Sequence, residues 1–98
     1  MTLPFRIRPL AERDVEQAKD YYEQQQAGLS DRFKNRLEEA LERIQAMPKS
    51  YGVIAKSVRA KQLRKFPYVI YYRVLAHEIE VLAIVHGSRD SAAWKERI

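Results

Sequence analysis

Between Pro48 and Leu75 the chain carries seven lysines and arginines and not one acid. Arg59, Lys61, Arg64, Lys65 and Arg73 fall in that interval, and His86 and Arg89 follow it. Guanidinium and ammonium groups in such number can hold phosphates or carboxylates through charge-assisted hydrogen bonds. His86 adds an imidazole, a group able to give or take a proton near neutral pH. Its bland alternative is a structural hydrogen bond that holds the end of a strand. The basic residues have a bland reading too, as a solvated edge strand kept from aggregating by its charge. Around them stand no paired carboxylates, nucleophile triad, phosphate-binding loop or metal-ligand spacing, so these residues name no reaction and call for no cofactor and no metal.

The elements that carry these groups can be read from periodicity. From Leu3 to Arg8 apolar and basic residues alternate, which predicts a short strand, and Pro4 confines it to an edge or a strand start. From Ala11 the period lengthens: Val15, Ala18, Tyr21 and Tyr22 share one helix face, and Gly28 is expected to end the helix in a left-handed cap. Leu29, Phe33, Leu37, Leu41 and Ile44 form the stripe of a second helix near 29–47, with Ser30 as its expected N-cap and Pro48 as its stop. So short a connection predicts an antiparallel helical hairpin that buries Leu37 and Leu41 against a sheet. Pro48 to Ser57, with its Pro, Gly and Ser, reads as a loop. Strands are expected at about 58–66, 68–75 and 79–86, in an antiparallel meander.

The second of these strands is apolar on both faces, as a central strand is. Tyr68, Tyr71 and Tyr72 are therefore better placed for packing than for stacking on nucleobases, although aromatic platforms do bind single strands. Arg73 stands out among apolar neighbours, and its charge must reach solvent or a carboxylate. Asp90 reads as an N-cap or an arginine's partner, and the tail from Asp90 to Ile98 as one or two helical turns. The expected architecture is α+β: a small, mostly antiparallel sheet packed by an N-terminal helical hairpin, in the order β-α-α-β-β-β with a short C-terminal helix.

Composition sets the outer bounds. Ninety-eight residues predict one domain spanning 1–98. The net charge is +5, yet residues 11–47 hold nine acids against six bases, so the charge is partitioned along the chain. A basic stretch of this kind should meet an anionic partner, whether nucleic acid, a ribosome or an acidic protein. The absence of cysteine excludes disulfides and thiolate metal sites. No apolar run approaches the roughly 20 residues of a membrane span, which predicts a cytoplasmic protein with no membrane partner.

Taken in order, Tyr21-Tyr22-Glu23, Gly28-Leu29-Ser30-Asp31-Arg32-Phe33, Arg59, Leu63, Phe66-Pro67-Tyr68, Ile70-Tyr71-Tyr72-Arg73-Val74, His86, Arg89-Asp90 and Trp94 give the chain a resemblance to the RelE/ParE superfamily of bacterial type II toxins. The likeness covers nearly the whole chain. It implies a growth-inhibiting toxin, neutralised by a cognate antitoxin that wraps an acidic, partly disordered segment around it. Two mechanisms divide the superfamily. RelE-like members cut messenger RNA in the ribosomal A site, which would make Arg59, Lys61, Arg73, His86 and Arg89 the catalytic candidates. ParE-like members inhibit DNA gyrase without a catalytic constellation, which would leave Arg59, Lys61, Arg64, Lys65, Arg73 and Arg89 as a target-binding surface. The chain lacks a terminal tyrosine and resembles ParE more closely around Phe66 and Trp94, so gyrase is the expected target and the ribosome with its messenger the alternative. A degenerate, non-toxic antitoxin-binding protein is a third reading.

Overall fold

A computed structural model describes residues 2–98. Strand β1 (Phe5–Ile7) leads into helix α1 (Pro9–Gln25), with Pro9 in the first turn, where a missing N–H costs nothing. Helix α2 (Leu29–Ala46) buries Phe33, Leu37, Ala40 and Ile44, spaced to fall on one face. Helix α1 buries only the small Ala11 and Ala18, which lets its backbone come close to the sheet. Gly28 joins the helices at φ +87 and is the N-cap of α2.

Ser30 is not that N-cap. The carboxylate of Glu23 does the capping, accepting the Gly28 and Ser30 amides at 3.1 and 3.3 Å and the Ser30 hydroxyl at 2.8 Å. The helix already begins at Leu29, so Ser30 lies inside its first turn, and its hydroxyl donates to the acid of α1 instead of accepting an amide of α2. These bonds, the Ser30 hydroxyl first, hold the Glu23 carboxyl below its usual value.

Four more strands follow: β2 (Val53–Ala55), β3 (Val58–Gln62), β4 (Tyr68–Val74) and β5 (Ile79–His86). The sheet order is β1-β5-β4-β3-β2, antiparallel except where β1 runs parallel to β5. Strand β2 lies inside the expected loop, and β3 stops at Gln62 rather than running to 66. The reason is local. Lys56 and Ser57 turn the chain tightly enough for residues 53–55 to pair back on β3, and Leu63 to Pro67 form a second turn closed by Leu63 N–H on Tyr68 O at 2.9 Å.

Tyr68, Ile70 and Tyr72 of β4, with Ile79, Val81 and Ile84 of β5, meet the helices in the main core. On the other face Val58, Tyr71, Leu82, Ala83 and Val85 pack with Trp94 from a C-terminal 3-10 helix, Ala93–Arg97. All three tyrosines of β4 are buried. A register shift opposite Tyr71 and Tyr72 puts Leu82 in a bulge, so Leu82 and Ala83 share the second core. Beyond the end of β1 the free edge of β5 is covered by side chains. Ile84 N–H donates to Asp14 Oδ2 at 3.0 Å, while Arg97 Nη1 donates to Leu82 O at 3.0 Å and to Asp14 at 2.6 Å.

Candidate functional site

The basic residues do not form one surface. Arg59 and Lys61 lie opposite Tyr72 and Ile70, so they project on the helix-covered face, past the end of α2. Arg59 is committed there: its Nη1 donates to Tyr51 O at 2.6 Å and to Lys49 O at 3.1 Å, which fastens the 48–52 loop. Lys61 Nζ sits 4.9 Å from the centre of the Tyr51 ring, a cation–π contact. Tyr72 donates to Pro48 O at 2.7 Å, and burial pushes its hydroxyl up to about 12 despite the nearby Arg59.

Arg73 points the other way, because its neighbours Tyr72 and Val74 face the helices. Of the two outlets open to its charge, solvent or a carboxylate, it takes the carboxylate. Glu80, on β5 directly across from it, accepts Arg73 Nε at 2.9 Å and Arg73 Nη2 on Oε1. Arg6 Nη2 at 2.7 Å and Arg8 Nη1 at 2.9 Å converge on Oε2, and Arg6 Nε also meets Glu78 at 2.7 Å. Glu80 is only 1% exposed. Burial alone would raise its carboxyl, but hydrogen bonds from Arg73 and Arg8, with the Arg73 charge and Arg6, leave it below the ordinary value.

His86 closes β5. Its Nδ1 lies within reach of the Ser88 amide at 3.2 Å, the Arg89 amide at 3.3 Å and the Ser88 hydroxyl at 3.1 Å. A backbone N–H can only donate, so Nδ1 is the acceptor and the proton of the neutral ring sits on Nε2. The imidazole ties down the turn that follows the strand. Arg89 is exposed beyond it, and Asp90 lies in the same turn with its amide on His86 O at 3.0 Å. Asp90 is not the cap of the 3-10 helix, which begins after Ala92. Among the described residues no three His, Asp or Glu side chains gather to hold a metal ion.

Arg64 and Lys65 lie in the 63–67 turn, and there the structure makes a concave site. A groove of about 690 Å³ runs between that turn and α2. Tyr22, Leu29, Phe66 and Pro67 give it an apolar lining, and Arg32, Arg36 and Lys65 give it a basic rim. Its one acid, Glu39, is held by Arg36 and Arg64, each at 3.3 Å. Lys65 has φ +71, a left-handed conformation that costs a non-glycine residue of order 1 kcal/mol. Behind the lining, Tyr22 and Phe66 pack edge-on at 4.9 Å and both stand against Phe33.

Arg32 and Arg36 escaped a reading that looked for charge in the acid-free interval. Their spacing of four residues already put both on one face of a helix. Charge reversal at Arg59 would also break two carbonyl bonds, so Arg32 and Lys65 are cleaner probes of this surface.

Residues 5–91 match the family model described as ParE toxin of type II toxin-antitoxin system, parDE. The chain is 30% identical over 99 residues to "Toxin ParE2" in two strains of Mycobacterium tuberculosis, an alignment that covers 100% of this chain and 94% of the relative. Its fold resembles a chain from the "Chromosomal ParDE TA system from P. aeruginosa", with a TM-score of 0.77 at 19% identity over 86% of this chain and 95% of that one. No helix among the described residues is long and apolar enough to cross a membrane. A family match that runs through nearly every element of the fold, joined to that full-length relative, makes this chain a member of the ParE toxin family of type II toxin–antitoxin systems.

Proposed function

We propose that this protein inhibits growth by binding DNA gyrase, and that an antitoxin neutralises it by laying an acidic, amphipathic segment into the groove between α2 and the 63–67 turn. The observation that carries the antitoxin half is the groove itself, apolar within and ringed by Arg32, Arg36 and Lys65. Apolar side chains of a segment that folds on binding fill such a groove, and its acids meet the rim. Charge reversal at Arg32 and Lys65 together should weaken binding to the product of the neighbouring gene about tenfold at low salt, with the gap closing as salt rises. Calorimetry at two salt concentrations measures this, and unchanged affinity in a folded variant removes the groove from the interface.

Inhibition by binding, rather than by cutting RNA, is supported by how the candidate catalytic groups are disposed. Arg59 and Arg73 project from opposite faces of the sheet, Arg59 is spent on loop carbonyls, and His86 is spent on its own turn. The sheet parts Arg73 from Arg59, Lys61 and His86, which share the helix-covered face, so these groups do not all meet on one phosphodiester. His86→Ala is therefore expected to keep most of its inhibition of gyrase supercoiling. A ribonuclease that used the imidazole as acid or base would lose about a hundredfold or more in cleavage. Purified protein is assayed in parallel on gyrase and on programmed ribosomes, with circular dichroism to confirm that the variant is folded. Codon-linked cleavage that vanishes in His86→Ala, with gyrase untouched, would favour the RelE-like mechanism instead.

A further inference from the structure

The face of the sheet turned away from the helices carries a second concentration of positive charge. Part of that face is closed by the C-terminal 3-10 helix, which buries Trp94 against Tyr71. Beside it the surface belongs to arginines. Arg6 lies opposite Glu80 in the parallel pairing of β1 with β5, and Arg73 lies opposite Glu80 from β4, so both flank that carboxylate. Arg8 continues the extended chain two residues beyond Arg6 and turns to the same side.

Glu80 fixes the three guanidinium groups without exhausting them. Arg6 donates to it from Nη2, Arg8 from Nη1, and Arg73 from Nε and Nη2, while Arg6 Nε goes to Glu78. Arg6 Nη1, Arg8 Nη2 and Arg73 Nη1 have no partner among the described residues. All three side chains keep contact with solvent, from 27% exposed for Arg73 to 56% for Arg6. Three guanidinium groups against Glu80 and Glu78 leave one positive charge in excess, and Lys95 adds another beside the Trp94 ring. Forks held in place by a buried carboxylate lose little side-chain freedom when an anion arrives.

We propose that this face binds the phosphodiester backbone of duplex DNA through Arg6, Arg8 and Arg73. Side chains two residues apart on extended chain stand about 6.6 Å apart, close to the step between successive phosphates of one strand. The free guanidinium N–H groups donate to phosphate oxygens in charge-assisted bonds, which position a duplex without reading its sequence. A single strand is the poorer fit, because Tyr71 and Trp94 are buried and offer no ring for a base to stack on. The choice of DNA over RNA rests on the gyrase reading, since gyrase works on duplex DNA. The groove beside α2 lies on the other side of the sheet, so a segment seated there leaves the arginines open.

The test titrates a short labelled DNA duplex of mixed sequence with the full chain and reads anisotropy at several salt concentrations. Arg6→Gln and Arg8→Gln should each weaken binding roughly tenfold at about 0.1 M salt and lower the slope of log affinity against log salt by about one. The loss should be the same on duplexes of unrelated sequence. Lys34→Gln removes an equal charge from the exposed surface of α2 and should cost less than about twofold. Circular dichroism confirms folding, and Arg6→Gln, at the more exposed position, carries the test should Arg8→Gln disturb the sheet. An equal loss in Lys34→Gln would reduce the effect to general attraction and overturn the proposal. Displacement of the duplex by polyglutamate as readily as by unlabelled DNA would overturn it in favour of an acidic protein. Tighter binding of an RNA duplex, or no binding of DNA at about 0.05 M salt, would overturn it as well. Gyrase is absent from this assay, so its outcome and that of the supercoiling assay are separate.

Discussion

Glu80→Gln is expected to destabilise the protein by about 3 kcal/mol at pH 7, although it leaves side-chain volume nearly untouched. The amide keeps the shape but not the charge, and its NH2 turns a donor toward guanidinium groups that are themselves only donors. Arg6 and Arg8 stand partly in water, with 56% and 37% of their side chains exposed, so their share of the pairing is screened. The loss centres on Arg73, the least exposed of the three, and on the carboxylate site between the strands. Against a typical total stability of about 5–15 kcal/mol, that is a substantial part.

The same residue sets a pH dependence. Its folded carboxyl lies below the unfolded value of about 4.3, so its contribution is complete above that pH and disappears as pH falls through the folded value. The parent should lose stability through this acid range, and Glu80→Gln should lack that component. Denaturant midpoints measured at pH 7 and below pH 4 decide the matter. A loss at pH 7 under about 0.5 kcal/mol would mean that the three arginines are as well satisfied by solvent as by Glu80.

Phe33→Ala should cost more, about 3–5 kcal/mol. The ring is 0% exposed and is surrounded by Tyr22 at 5.5 Å, Phe66 at 5.3 Å and Tyr68 at 5.2 Å between ring centres. Two of those neighbours line the groove, so the cavity left behind lets its wall sag inward. If the groove takes the antitoxin as proposed, stability and binding should fall together in this variant, whereas the Arg32 and Lys65 reversals should change binding alone. Equilibrium denaturation with calorimetry separates the two. A stability loss below about 1 kcal/mol would mean that the aromatic cluster closes over the gap.

The helical hairpin was legible because its signal is long. The stripe from Leu29 to Ile44 repeats over several turns, and each repeat reinforces the last. Strand β4 was legible for a different reason: it is apolar on both faces, and only a central strand tolerates that. Strand β2 was not, since Val53-Ile54-Ala55 is too short to show a period and sits among Pro, Ser and Gly. The parallel pairing of β1 with β5 was equally hidden, because register between strands 70 residues apart leaves no local trace.

The candidate site divides along the same line. Arg73 had to reach solvent or a carboxylate by its sequence alone, and Glu80 could have been named as the carboxylate: counting back from a tight turn between Val74 and Ile79 sets 73 against 80. That Arg59 spends its charge on two backbone carbonyls could not be read, since it depends on where the 48–52 loop falls. Grouping basic residues by their nearness in sequence joined Arg59 to Arg73, and strand alternation parts them. The groove gathers Tyr22, Leu29, Arg32 and Lys65 from three stretches of chain, and no single stretch announces it.

The position of β5 also governs when the protein can exist. This strand is made after the other four, yet it is the neighbour of both β1 and β4. Until residues 79–86 emerge, the first strand has nothing to pair with and β4 has one open side. The helical hairpin can form early from local contacts, but loop closure across some 70 residues must precede completion of the sheet. A ribosome that stalls or a message cut short of Ile79 therefore releases a helical fragment with neither the buried glutamate nor a closed β4. The sheet therefore closes only after residues 79–86 have left the ribosome.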